Sequence, residues 1–197
     1  MSTHPKFWWF RLVLKEIRIH GRGGQGGVTA AQLIAEAAYR EGKHALSFPF
    51  FGAERRGAPV TAFVRISDEP IYRRSQIYNP DYVLVLDPAL PKMVDVTVGL
   101  KPDGCIIMNT HQTPEELGFS GFKVATVDAT SIALELDLVL AGIAVVNTPM
   151  MGAFAGATGE LKIETVLDVI RERWPGAGGE KNVKAAQLAY ERIKRWW

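Results

Sequence analysis

Glu16-Ile17-Arg18-Ile19-His20-Gly21-Arg22-Gly23-Gly24-Gln25-Gly26-Gly27 is the stretch on which the reading of this 197-residue sequence turns. Residues 16–20 alternate polar and apolar side chains, with isoleucine at both apolar positions, as a strand does. After the glycines, Val28 to Arg40 is dense in Ala, Leu, Gln and Glu and contains no Pro or Gly, which predicts a helix of about three turns. The glycine cluster is therefore a strand-to-helix turn, and Gly21, Gly23 and Gly26 satisfy G-x-G-x-x-G in the context that gives the motif meaning. Amides pointing out of such a helix N-terminus hold anions such as phosphate or carboxylate.

A dinucleotide fold with this fingerprint places an acid at the end of its second strand, about twenty residues on, to bind the ribose. Here the second strand, Lys43 to Ser47, runs into Phe48-Pro49-Phe50-Phe51, and the nearest acid is Glu54, beyond a glycine. The missing acid weighs against an independent NAD- or FAD-binding protein, which stays open as the alternative reading. A tight turn that binds nothing stays open beside it.

Composition narrows the function classes. A length of 197 residues suits one domain, and 47% hydrophobic residues suffice for a sizeable core. The net charge of +2, with basic residues scattered apart from pairs such as Arg55-Arg56 and Arg73-Arg74, is too small to suggest nucleic-acid binding by itself. Cys105 is the only cysteine, so neither an internal disulfide nor a cysteine-ligated cluster forms within the chain; in Cys105-Ile106-Ile107-Met108 it reads as a buried structural thiol. His4, His20, His44 and His111 have no metal-binding spacing. No apolar run reaches the ~20 residues of a membrane span, and the aromatic start Phe7-Trp8-Trp9-Phe10 lacks the form of a signal peptide. A cytoplasmic, non-membrane protein is expected.

Along the chain, Glu41-Gly42 stops the first helix, and residues 48–59 form a loop with two prolines and two glycines. Its Glu54, Arg55 and Arg56 are candidate anion-site residues, since an arginine fork fits carboxylate or phosphate. A solvated acid–arginine pair is the bland alternative. Val60–Ile66, Tyr82–Leu86, Cys105–Asn109 and Lys123–Val127 are expected strands, the apolar ones buried on both faces. Ile71–Ile77 is ambiguous between a short strand and a loop. A short helix is expected around Leu90–Val96, another starting at the capping box Thr113-Pro114-Glu115-Glu116, and a third over Asp128–Leu136. The last third reads as helical: Asn147-Thr148-Pro149 caps a small-residue segment to Ala157, and the faces of Ile163–Trp174 and Val183–Trp197 follow. Between those two faces, Pro175–Gly179 is either a hinge or a closely approached backbone. The fold expected is α/β, a mostly parallel sheet flanked by helices with a Gly-rich strand-to-helix turn and a helical C-terminal third. The domain spans 15–197, behind an N-terminal extension over 1–14.

Several segments together carry a resemblance. They are Ile19 to Gly27; Phe48-Pro49 with Gly52-Ala53-Glu54-Arg55-Arg56-Gly57-Ala58-Pro59; Arg65 to Ile71; Asn79-Pro80-Asp81; and Lys181-Asn182-Val183-Lys184-Ala185-Ala186. This set resembles the gamma subunit of the 2-oxoacid:ferredoxin oxidoreductases, pyruvate (pyruvate synthase) or branched-chain type, over roughly 15–195. The resemblance implies a non-catalytic subunit of an enzyme that converts a 2-oxoacid, pyruvate first among candidates, to acyl-CoA, CO2 and reduced ferredoxin. It implies alpha, beta and delta partners that carry thiamine diphosphate with Mg and iron–sulfur clusters, and a gamma chain that aids assembly and borders the coenzyme A access region. On that footing no catalytic or metal residue is assigned. Gly21, Arg22, Gly23, Gly24, Gln25, Gly26 and Gly27 form one wall of a binding region, with Glu54, Arg55 and Arg56 on the facing loop. Those arginines meet either coenzyme A phosphates or an acidic neighbouring subunit.

Overall fold

The computed structural model describes residues 14–50 and 57–197. The N-terminal aromatic cluster and the loop residues Glu54, Arg55 and Arg56 lie outside them. The described chain builds one seven-stranded sheet from β1 (Leu14–Arg22), β2 (His44–Phe50), β3 (Pro59–Ser67), β4 (Tyr82–Val85), β5 (Cys105–Asn109), β6 (Lys123–Val127) and, at the far edge, Lys194–Arg195. The order runs β2-β3-β1-β4-β5-β6 and then that edge pair. β1, β4, β5 and β6 are mutually parallel; β3 is antiparallel to both β1 and β2, and Lys194–Arg195 is antiparallel to β6. The sheet is thus mixed but mostly parallel, and the domain is α/β.

The helices α1 (Gly27–Arg40), α2 (Ala129–Glu135), α3 (Asn147–Thr158), α4 (Ile163–Arg173) and α5 (Ala177–Arg192) pack on one face only. There Ile17, Ile19, Val64, Leu84, Ile107 and Ala125 meet Leu33, Ile34, Met150, Phe154, Val166 and Ala186 in one core. α3 is its centre, buried from Asn147 through Ala157. Its small residues let α5 approach closely, and a Cβ at Gly152 would overlap the Ala186 carbonyl. The opposite face, with Val83, Val85, Ile106 and Met108, is covered by irregular segments carrying Leu90, Val96 and Phe119. One hairpin, β7 (Val139–Leu140) with β8 (Ile143–Ala144), stands apart from the sheet; Lys194–Arg195 is therefore β9.

Some local expectations change. Phe48–Phe50 belong to β2 rather than to a loop, because Phe48 pairs with Phe63 across the strands with ring centroids 5.2 Å apart. Pro49 is tolerated because β2 is an edge strand. Ile71–Ile77 forms no strand. Leu90–Lys92 is only one 3-10 turn. At residues 113–116 the capping bonds form, with the Thr113 N–H donating to Glu116 Oε2 at 2.7 Å, yet Gly118 at φ 72° ends the turn before a helix can grow. α5 stops at Arg192, and the tail turns into β9, where Trp196 Nε1 donates to Thr126 Oγ1 at 3.0 Å. At 175–179 the close-approach reading fits, since a Cβ at Gly179 would overlap the Trp174 carbonyl.

Candidate functional site

β1 sits where the sheet changes direction of growth: the chain goes on through α1 to β2 and β3 on one side, and later places β4 on the other. In open α/β sheets ligands bind at such switch points, beyond the carboxyl ends of the strands. The glycine turn leaves the carboxyl end of β1, and Asp87 follows the end of β4 beside it.

The turn is internally braced. The Arg22 N–H donates to Gln25 Oε1 at 2.7 Å, the Gln25 N–H donates to the Arg22 carbonyl at 3.0 Å, and Gln25 Nε2 donates to Asp87 Oδ2 at 2.8 Å. Arg22 Nε lies 2.9 Å from the same carboxylate oxygen, an ion-pair contact without an aligned N–H bond. Asp87 spends its other oxygen on the Ala89 N–H, 2.8 Å away. Gln25 therefore works inward, holding the turn, and does not line the cavity described below. Gly26 caps α1 in the left-handed conformation, φ 81°, with no side-chain cap and no acid in the helix's first turn. Among the described residues no side chain caps the positive end of α1.

That helix end opens into a cavity of about 550 Å³. Gly21 to Gly24 and Gly26 to Thr29 form one wall; Val60 and Ala62 of β3, Asp137 and Leu138 before the hairpin, Val139 and Leu140 in it, Val145 after it, and Asn147, Trp174 and Asn182 form the rest. The site is thus polar at the amides, Arg22, Asp137, Asn147 and Asn182, and apolar along Val60, Ala62, Leu138 to Leu140 and Trp174. The chain passes beside the turn at Ala58, whose carbonyl accepts from the Gly23 N–H at 3.0 Å. The hairpin and Trp174 were not singled out from sequence as site residues. Asn182 lay in the Lys181-Asn182 signature, and its Oδ1 accepts from Thr148 Oγ1 at 2.8 Å.

Two titratable groups, the half-buried His20 and the buried Cys105, complete the picture. His20, one residue before the turn, has its pKa lowered to about 4, by burial first and by the Arg18 charge second. Its Nε2 accepts from Arg18 Nε at 3.0 Å. Burial pushes the Cys105 thiol up to about 12, so it is a structural thiol and no nucleophile.

The strand order also bears on the dinucleotide alternative. That fingerprint needs the second parallel strand next to the first, with its acid at the end. Here antiparallel β3 occupies that place, and β2 lies one strand further out, ending at Phe50.

A family model described as pyruvate ferredoxin/flavodoxin oxidoreductase matches residues 16–192, and the chain belongs to that family. Pyruvate synthase subunit PorC of Methanothermobacter marburgensis is 55% identical over 179 residues, covering 91% of this chain and 97% of that protein. The pyruvate/ketoisovalerate oxidoreductases common subunit gamma of Thermococcus litoralis is 55% identical over 181 residues, covering 90% and 96%. The crystal structure of pyruvate oxidoreductase subunit PORC from Thermotoga maritima matches with a TM-score of 0.81 at 37% identity, over 93% of this chain and 99% of that one. Within the family the chain is the gamma subunit, one part of a multisubunit oxidoreductase. Among the described residues no group of three or more His, Cys, Asp or Glu is placed to hold a metal ion, and no helix is long and apolar enough to cross a membrane.

Proposed function

We propose that this gamma subunit serves a cytoplasmic, pyruvate-oxidising enzyme of the pyruvate synthase type, aids its assembly, and forms one wall of the coenzyme A access region. In this reading the alpha, beta and delta subunits hold thiamine diphosphate with Mg and the iron–sulfur clusters, and ferredoxin takes the electrons. The relative from Thermococcus litoralis is named as common to pyruvate and ketoisovalerate enzymes, which supports leaving substrate choice to the other subunits.

The observation that carries the proposal is the open end of α1 at the cavity. Uncapped amides and a helix dipole suit a diphosphate, and the apolar wall of Val60, Ala62, Leu138 and Trp174 suits a long neutral arm. Arg55 and Arg56, on the facing loop, contribute charge either to that ligand or to an acidic neighbour.

The test is kinetic, on the assembled enzyme. Thr29→Glu places a carboxylate in the first turn of α1, at the cavity wall. A selective rise of about tenfold in the coenzyme A KM is expected, worth ~1.4 kcal/mol, with the pyruvate KM unchanged. Arg55→Ala/Arg56→Ala is measured beside it. Unchanged coenzyme A kinetics in both variants would remove the ligand contact, and loss of assembly alone would make this chain an assembly module.

A further inference from the structure

Between β3 and β4 the chain crosses the helix-free face as an irregular strap, residues 68–80. Its side chains are mostly in solvent: Tyr72 is 88% and Tyr78 69% exposed, and Arg73 and Arg74 are exposed as well. Such an arrangement would ordinarily be a floppy connection. Here a fully buried guanidinium fixes it. Arg65 of β3 has no exposed surface; its Nη1 donates to the Arg73 carbonyl at 3.0 Å, its Nη2 to the Gln76 carbonyl at 3.5 Å, and its Nε to Glu16 Oε1 at 2.8 Å. Phe48 lies over the same guanidinium at 5.5 Å, and Ile77 is buried as a peg at the strap's far end. Burying an ion pair costs desolvation that its own attraction offsets only in part. The fold bears that cost to hold a piece of backbone whose side chains touch little of this domain.

The chemistry displayed is specific. Among the described residues neither Arg73 nor Arg74 takes part in a salt bridge, and two exposed tyrosines flank the pair. The strap's own acids, Asp68 and Glu69, sit at its other end, in the turn leaving β3, where the Glu69 N–H donates to Ser67 Oγ at 3.1 Å. Tyrosine and arginine are the residues enriched at interface hot spots, and a pre-ordered backbone removes part of the entropy cost of docking. We propose that the Arg65-held strap Ile71–Tyr78 is a docking ridge for an acidic surface on a neighbouring subunit of the same oxidoreductase. The inference rests on the gamma-subunit reading and goes beyond it by naming the contact surface and the charge of its partner.

The test uses the co-expressed enzyme, with this chain tagged and its partner subunits identified by their iron–sulfur absorbance and 2-oxoacid oxidation. Arg73→Glu/Arg74→Glu is expected to lower retention of the partners about tenfold or more at moderate salt, because like charges then face each other. Arg73→Lys/Arg74→Lys is expected to keep most of it. The melting temperature of the charge-reversed chain should stay near that of the parent, since both side chains are in solvent. Full retention by the charge-reversed chain overturns the inference. So does intact assembly with a raised KM for ferredoxin, which would give the ridge to the acidic electron carrier. Self-association of the parent chain that the reversal abolishes would give it to a second copy and equally overturn it. If the parent chain itself recovers no 2-oxoacid-oxidising partner, the gamma-subunit reading falls and takes this inference with it; if parent and variant both recover one, only this inference falls.

Discussion

Gly26 and Gly42 share the same left-handed φ, 81° at each, in opposite surroundings. An alanine Cβ at Gly42 would meet nothing within 4 Å. At Gly26 it would stand 2.8 Å from Asn147 Nδ2 and 3.0 Å from both Cβ and Cγ of that residue. Gly42→Ala therefore pays only the left-handed penalty of an L-residue, about 1–2 kcal/mol. Gly26→Ala pays the same penalty and adds an overlap with a side chain that is 5% exposed at the start of α3 and anchored at its own Cβ. Ordinary carbon–carbon contacts lie near 3.5–4.0 Å, so α1 and α3 must separate by several tenths of an ångström. Overpacking of that kind costs about 1–3 kcal/mol more. The expectation is a loss of ~1–2 kcal/mol for Gly42→Ala and ~2–5 kcal/mol for Gly26→Ala, read from urea midpoints at unchanged slope. Equal losses would show that Asn147 yields freely, and would refute the account of the turn as locked against α3.

Two further changes probe the helix-free face. Because the folded-state pKa of His20 is lowered to about 4 from 6.5, the unfolded chain binds the extra proton between those values. Stability should be full above about pH 6.5 and fall as the pH drops toward 4, by ~3 kcal/mol over the window. His20→Gln, which keeps an acceptor for Arg18 without a titrating ring, should flatten that slope in pH-dependent urea titrations; an unaltered slope would assign it to other groups. Arg65→Met should cost about 3–5 kcal/mol by stranding the Glu16 carboxylate, whereas Arg65→Met/Glu16→Gln should recover a good part of it. A double variant no better than the single one, by thermal or urea unfolding, would mean that the lost strap contacts dominate.

How much of this was legible in the sequence depended on how local each feature is. Val83 to Leu86 and Cys105 to Met108 declare themselves by unbroken apolar runs, because both faces of those strands are covered. The glycine turn was legible because its flanking strand and helix both obey simple periodicities. The hairpin that completes the cavity was not, since two strands of two residues leave no pattern to count. Strand order was equally hidden: nothing near Pro59 announces that β3 will insert between β1 and β2. Ile193 and Trp197 continue a helical spacing that α5 abandons at Arg192, where the tail instead pairs with β6 and Trp196 bonds the Thr126 hydroxyl. The capping box at Thr113 formed its bonds without its helix, so the local signal was right and its continuation was cut by Gly118. For the site, the turn and the Lys181-Asn182 signature were visible, whereas Arg22 and Gln25 facing Asp87 depended on β4 arriving beside β1.

The insertion of β3 also governs the order in which a growing chain can become a protein. β1 pairs Leu14 with Ser67 and Arg22 with Pro59, so on that side its partner is made some forty residues after it. Among the described residues β2 pairs with β3 alone, and on its other side β1 must await Tyr82 to Val85. A ribosome that has released the chain only as far as Phe50 has thus delivered two strands and a helix that cannot form a sheet with one another. The glycine turn, for all its local character, acquires its shape late, and the interval before residue 67 emerges is when Ile17, Ile19 and Phe48 are open to chaperones or to misdirected pairing.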